Sequence, residues 1–115
     1  MSYQREFGDM FDLGFDLTEL NFLTDRSWKQ DVSPSFYFNI GCHYFVLWID
    51  YKYPEQREES NDRYLVQQAT NIGSFLEPET CADGEQIFSC ESHDEIKGFL
   101  QLMITKTPNA LSYKV

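Results

Sequence analysis

The sequence predicts an α+β domain: an antiparallel sheet of about four strands, a C-terminal amphipathic helix on one face, and a helical N-terminal segment over the other. Three observations carry this expectation. A run from Phe36 to Tyr53 holds eight aromatic residues among eighteen, with the aliphatic Ile40, Val46, Leu47 and Ile49 among the rest. Ser92-His93-Asp94-Glu95 is a capping box, and Ile96, Phe99, Leu100, Met103 and Ile104 follow it at helical spacing. Near the N-terminus Phe11-Asp12-Leu13 and Phe15-Asp16-Leu17 repeat at a spacing of four. At 115 residues the chain suits one domain, residues 1–115, that buries its own core without metals or disulfides.

In chain order, the four-residue spacing predicts a helix between Asp9 and Leu23. Met10, Leu13, Leu17 and Leu20 would form its apolar stripe, and Asp9, Asp12, Asp16 and Glu19 an acidic stripe beside it. Gly8 and Gly14 oppose that reading by about 1 kcal/mol each if they lie inside the helix. Residues 24–35 read as a polar connection ending in Ser33-Pro34-Ser35, with Trp28 and Val32 available to pin it to the core.

Phe36 to Ile40 is the first expected strand, and Gly41-Cys42-His43 a three-residue hairpin loop. The competing reading is one long strand bent at a glycine bulge. Every residue from Tyr44 to Ile49 is apolar, which predicts a central strand covered on both faces. Alternation then sets in, with Ile49, Tyr51 and Tyr53 on one side and Asp50 and Lys52 on the other, as for a strand leaving the core.

Residues 54–63 have no apolar member except Pro54, so they form a solvated loop. Tyr64 to Thr70 is the third strand, with a short exposed helix over 62–69 as the weaker alternative. Asn71-Ile72-Gly73 is a break, and Ser74-Phe75-Leu76 continues the strand or begins another. Glu77 to Gly84 has turn chemistry closing on Asp-Gly, and Glu85 to Cys90 is the last strand. Pro108 is expected to stop the C-terminal helix soon after Lys106.

No spacing names a reaction. Cys42, His43, Cys81, Cys90 and His93 include no Cys-x-x-Cys and no His-x-x-x-His pair, so neither a metal nor another cofactor is expected. Cys42 and His43 are adjacent and would project to opposite faces of an extended chain, which disfavours a cysteine–histidine nucleophile. The many carboxylates select no acid–base pair, and a glycine-rich phosphate loop is absent from the sequence. The longest apolar run, Tyr44 to Ile49, falls far short of the roughly twenty residues that span a bilayer. Three cysteines without framework spacing, and a start that lacks an apolar signal core, lead us to expect reduced thiols and a cytoplasmic location.

Charge is more informative. Nineteen acids oppose nine bases, a net charge of −10, which repels nucleic acid and anionic membranes and attracts basic surfaces. Seven acids and no base lie between Arg63 and Lys97; Glu91, Asp94 and Glu95 of these flank or cap the C-terminal helix. Two clusters then lack a local role: the Asp9, Asp12, Asp16, Glu19 stripe and the Glu77, Glu79, Asp83, Glu85 turn. Tyr51, Tyr53 and Tyr64, beside the 54–63 loop, would supply aromatic anchors for a partner.

In its whole-chain character the sequence resembles the small acidic immunity proteins of bacterial contact-dependent inhibition and other polymorphic toxin systems. The likeness rests on length, negative charge, abundant Phe and Trp, and the ending of a strand, Ser92-His93-Asp94-Glu95-Ile96 and an amphipathic helix. It implies a non-enzymatic protein that binds and neutralises a cognate basic toxin, often a nuclease, without contacting nucleic acid itself. The alternative is a small enzyme or ligand-binding domain with a pocket between the sheet and the C-terminal helix.

Overall fold

The computed structural model describes residues 2–28 and 30–112, with side chains through residue 105. Its elements are helix α1 (Tyr3–Phe7), β1 (Thr24–Asp25), β2 (Ser35–Ile40), β3 (His43–Ile49), β4 (Tyr64–Asn71), β5 (Thr80–Cys81), β6 (Gln86–Cys90) and helix α2 (His93–Ser112), with single 3-10 turns at Leu17–Leu20 and Pro54–Gln56. All strand pairings are antiparallel. The order is β1-β2-β3-β4, with both β5 and β6 on the far edge of β4. The α+β class is thus as expected, and the two strands beyond four are two-residue pieces.

One rung of side chains explains the layering. Phe36 pairs with Leu47, Leu47 with Val66, and Val66 with Phe88, so these four residues share one face. At one end of the rung Tyr3 packs on Phe36, and at the other Phe88 stacks on Phe99 of α2 at 4.0 Å between ring centroids. Phe15 meets Tyr64 and Phe22 meets Phe38 on the same side. The N-terminal segment and α2 therefore cover the same face, side by side, and the expectation of opposite faces is corrected. That face is apolar apart from its end, where exposed Gln68 pairs with Phe45. The second carries Asn39 and Gln67 among Tyr37, Tyr44 and Trp48.

The N-terminal helix lies at Tyr3–Phe7 and not between Asp9 and Leu23. Gly8 ends it with φ of +103°, and Gly14 takes +87°, conformations that side-chain-bearing residues rarely adopt and that a helix does not contain. Between them Asp12 Oδ1 accepts from Gly14 N at 2.8 Å, an Asx turn. Leu13 and Leu20 are buried as expected, whereas Met10 is 93% exposed.

The β2–β3 loop has two residues, since Ile40 pairs with His43. Gly41 has φ of +62° while Cys42 stays negative, the pattern of a type II′ hairpin, which closes in two residues and not three. β3 ends at Ile49, so the expected alternation through Tyr53 is lost: Asp50 is buried, and its N–H donates to Arg63 O at 2.7 Å. Trp28 and Val32 are exposed; the connection is pinned instead by buried Ser27, whose hydroxyl accepts from Ser35 N at 3.1 Å and donates to Ser35 O at 3.3 Å.

β4 and its returning chain form one long, irregular hairpin. The register slips between Val66 and Gln67, and again before Thr70 meets Cys81. Such bulges sharpen strand twist, and the return chain leans over the second face. Arg26 there donates to Thr80 O at 3.3 Å, and Gln67 to Ala82 O and Gly84 O at 3.1 and 3.0 Å. At the start of α2 the Ser92 hydroxyl accepts from Glu95 N at 3.4 Å. The helix runs past Pro108 to Ser112 instead of stopping before it; a proline removes one hydrogen bond of a helix, which the turns on either side can bridge.

Gly14 offers a direct check on the N-terminal path. A Cβ there would collide with the Tyr64 hydroxyl, which donates to Leu13 O at 2.6 Å, and would press on Arg63. Gly14→Ala is expected to cost about 2–4 kcal/mol in urea unfolding, from backbone strain and the collision together, whereas Met10→Ser stays within about 0.5 kcal/mol of wild type.

Candidate functional site

Local structure accounts for three of the four acids in the N-terminal stripe. Asp12 shapes the Gly14 turn and faces Arg63 at 3.8 Å. Asp16 caps the 3-10 turn, accepting from Thr18 N at 2.9 Å, and Glu19 Oε1 accepts from Asp16 N at 3.1 Å while Glu19 pairs with Lys97 of α2 at 3.2 Å. The backbone bond from Thr18 lowers the Asp16 pKa, and that from Asp16, followed by Lys97, lowers that of Glu19. Asp9 is exposed, and no ion pair involves it among the described residues. The stripe belongs mainly to the fold.

The three tyrosines divide. Tyr64 is buried in the core, and burial pushes its hydroxyl up to about 12. Tyr51 is half-buried with its ring 4.9 Å from that of Phe11, and Tyr53 is exposed beneath Lys52. Only Tyr53 offers a largely free ring. The 54–63 loop is organised around Arg57, whose side chain is 2% exposed: it donates to the carbonyls of Tyr51, Lys52 and Asn61 and forks onto both Glu91 oxygens. Sequence reasoning missed this pair, because Arg57 looked like a diluting charge in a solvated loop and Glu91 like a flank of the helix.

The second acidic cluster stands differently. Glu77, Glu79, Asp83 and Glu85 are all exposed on the far arm of the β4 hairpin, and no Lys or Arg pairs with them among the described residues. Asn71 builds the tip, its Oδ1 accepting from Gly73 N and Glu79 N at 2.9 Å each and its Nδ2 donating to Ser74 O at 3.0 Å. At Gly73 a Cβ would strike the Glu77 carbonyl. This tight frame holds Phe75 and Leu76 outward, 78% and 87% exposed, with Ile72 exposed beside them. Phe75 and Leu76, expected to lie in a strand, and Ile72, expected in a break, form an apolar knob beside carboxylates that have no ion-pair partner among the described residues. Their run of apolar side chains between turn residues was the available signal, and it was assigned to strand packing.

Other chemistry is poorly assembled. Cys42 and Cys81 are exposed; Cys90 is buried, which pushes its thiol up to about 11 and keeps it protonated at neutral pH. No group of three or more His, Cys, Asp or Glu placed to hold a metal occurs among the described residues. Where a pocket between sheet and α2 was the alternative expectation, Phe88 lies flat on Phe99 and Ile96 and Leu100 are fully buried. No helix among the described residues is long and apolar enough to cross a membrane.

Comparison with known proteins brings nothing further: no family model, curated protein or solved structure matches the chain.

The Arg57–Glu91 pair carries a pH prediction. The Arg57 bonds, and then the one from Arg63 N–H, hold the Glu91 carboxyl below its ordinary value against the opposing effect of burial. A carboxyl with a lower pKa folded than unfolded binds fewer protons in the folded state, so its stabilisation is complete above about pH 5 and fades as pH falls through the folded value. Glu91→Gln is expected to lower the unfolding midpoint at pH 7 and to flatten the acid limb of the stability profile. Parallel profiles for variant and wild type, followed by thermal melts from pH 7 to 3, would contradict this.

Proposed function

We propose that this protein is a non-enzymatic inhibitor of the immunity type, which binds a basic protein, a nuclease toxin domain, and blocks it with the β4–β5 hairpin. The observation that supports this reading is the apolar knob of Ile72, Phe75 and Leu76 beside Glu77 and Glu79, with Asp83 and Glu85 farther along the same arm opposite Thr70 and Gln68. An exposed apolar group beside a row of like charges costs solvation and mutual repulsion in the free protein, and a partner with an apolar hollow and a basic rim relieves both. Carboxylates would stand where a nuclease holds phosphates, and Phe75 and Leu76 would supply the desolvated anchor that charge alone does not. The net charge of −10 speeds encounter with such a partner. Asp9, Tyr53 and the remaining N-terminal acids would lie at the rim or contribute only to the long-range field.

The test is co-expression with a toxin domain encoded beside this chain's gene, scored by cell survival and by inhibition of the purified toxin. Paired reversal of Glu77 and Glu79 to Lys is expected to weaken binding at least tenfold at low salt and to flatten its salt dependence, and Phe75→Ala to weaken it by about 2 kcal/mol. Reversal of Asp16 is expected to show itself in stability first, because that residue caps a turn. Unchanged affinity and salt slope in both hairpin variants would refute the assignment.

A further inference from the structure

The second face of the sheet carries a cleft of about 250 Å³, away from the hairpin tip, bordered by Trp48, Leu65, Asp50, Glu59, Asp62 and Arg63. We propose that this cleft takes a guanidinium or ammonium group on an apolar stem, in the form of an Arg or Lys side chain of the basic partner.

Asp50 carries the inference. It is only 9% exposed, yet its one side-chain hydrogen bond is accepted at Oδ1 from Tyr51 N at 2.8 Å, and no Lys or Arg nitrogen lies within ion-pair distance of it among the described residues. A buried carboxylate without a cation is costly, and this one lines an opening to solvent. The nearby cations are committed elsewhere, beginning with Arg26, which lies over the Trp48 ring at 5.5 Å and donates to Ser35 Oγ and Thr80 O. Arg57 feels the field of Asp50 but is forked onto Glu91. The Arg63 guanidinium is turned to Asp12 O at 2.7 Å and over the Tyr64 ring, although its buried Nε has no partner. Glu59 and Asp62 add negative charge at the mouth, where Asn61 and Ser89 hold them by single hydrogen bonds at 3.2 and 3.0 Å. Leu65 and the Trp48 ring, whose Nε1 donates to Gln67 Oε1 at 3.1 Å, give the methylene stem of a basic side chain an apolar wall.

The inference depends on the preceding reading only for the source of the cation, so it can be tested without the partner. In a Trp28→Phe background Trp48 is the sole tryptophan, and its emission is followed while N-acetyl-arginine methylamide is added. Saturable change at low millimolar concentration is expected, with about tenfold weaker binding in Asp50→Asn and in the surface double variant Glu59→Gln/Asp62→Asn. The neutral isostere N-acetyl-citrulline methylamide is expected to bind at least tenfold more weakly. No saturation by the arginine derivative, equal binding of the citrulline analogue, undiminished binding in both variants, or preferential binding of N-acetyl-glutamate at Arg63 would each overturn the proposal. Those results leave the hairpin measurements untouched, and failure of the hairpin variants leaves this titration untouched.

Discussion

The structure depends on the burial of one apolar sheet face beneath two covers of different kinds. Phe36, Leu47, Val66 and Phe88 form a rung across the strands, and a rung that wide is too broad for one helix. Helix α2 packs on both β6 and β2, with Phe99 on Phe88 and with Ile96 and Leu100 buried. The N-terminal segment covers the rest of the face with Tyr3, Leu13, Phe15 and Leu20. Lys97 and Glu19 join the covers at their meeting line. Since area-proportional burial is the main favourable term in folding, side-by-side placement follows from where the continuous apolar surface lies.

Two arginines complete the frame. Arg63 holds the N-terminal turn through Asp12 O, and Arg57 gathers three carbonyls and the Glu91 carboxylate into a loop that has almost no apolar residues. Bidentate, charge-assisted bonds of this kind are among the stronger polar contacts, and here they replace a missing hydrophobic anchor. Acids that looked like free surface charge are thereby drawn into the scaffold.

What remains uncommitted is concentrated on the second face and on the hairpin that leans over it. The bulged hairpin arm carries unpaired carboxylates and an outward apolar knob, and Asp50, at the opposite end of β4, has no ion-pair partner among the described residues. Asp12, Asp16 and Glu19, which have structural roles, belong to the N-terminal cover, whereas the Glu77, Glu79 and Glu85 carboxylates on the hairpin have no side-chain partner among the described residues and Asp83 is held only by the Thr70 hydroxyl. This asymmetry underlies the proposal of a basic partner approaching from that direction.

The amino-acid sequence by itself determined the antiparallel core strands, the α+β class and the cap and apolar stripe of the C-terminal helix. Alternation, aromatic enrichment and the Ser92–Glu95 box are local signals that need no distant partner to be read. Tertiary structure alone decided the path of residues 8–20, where Leu and Asp spacing suited a helix but Gly8 and Gly14 take positive φ and Gly14 passes against Tyr64 and Arg63. It also decided which acids are scaffold and which are free, because the partners of Glu19 and Glu91 lie 78 and 34 residues away. The Phe75–Leu76 knob was hidden for the same reason: an apolar pair looks alike in sequence whether it is packed inward or held out, and only the Asn71 frame settles its direction.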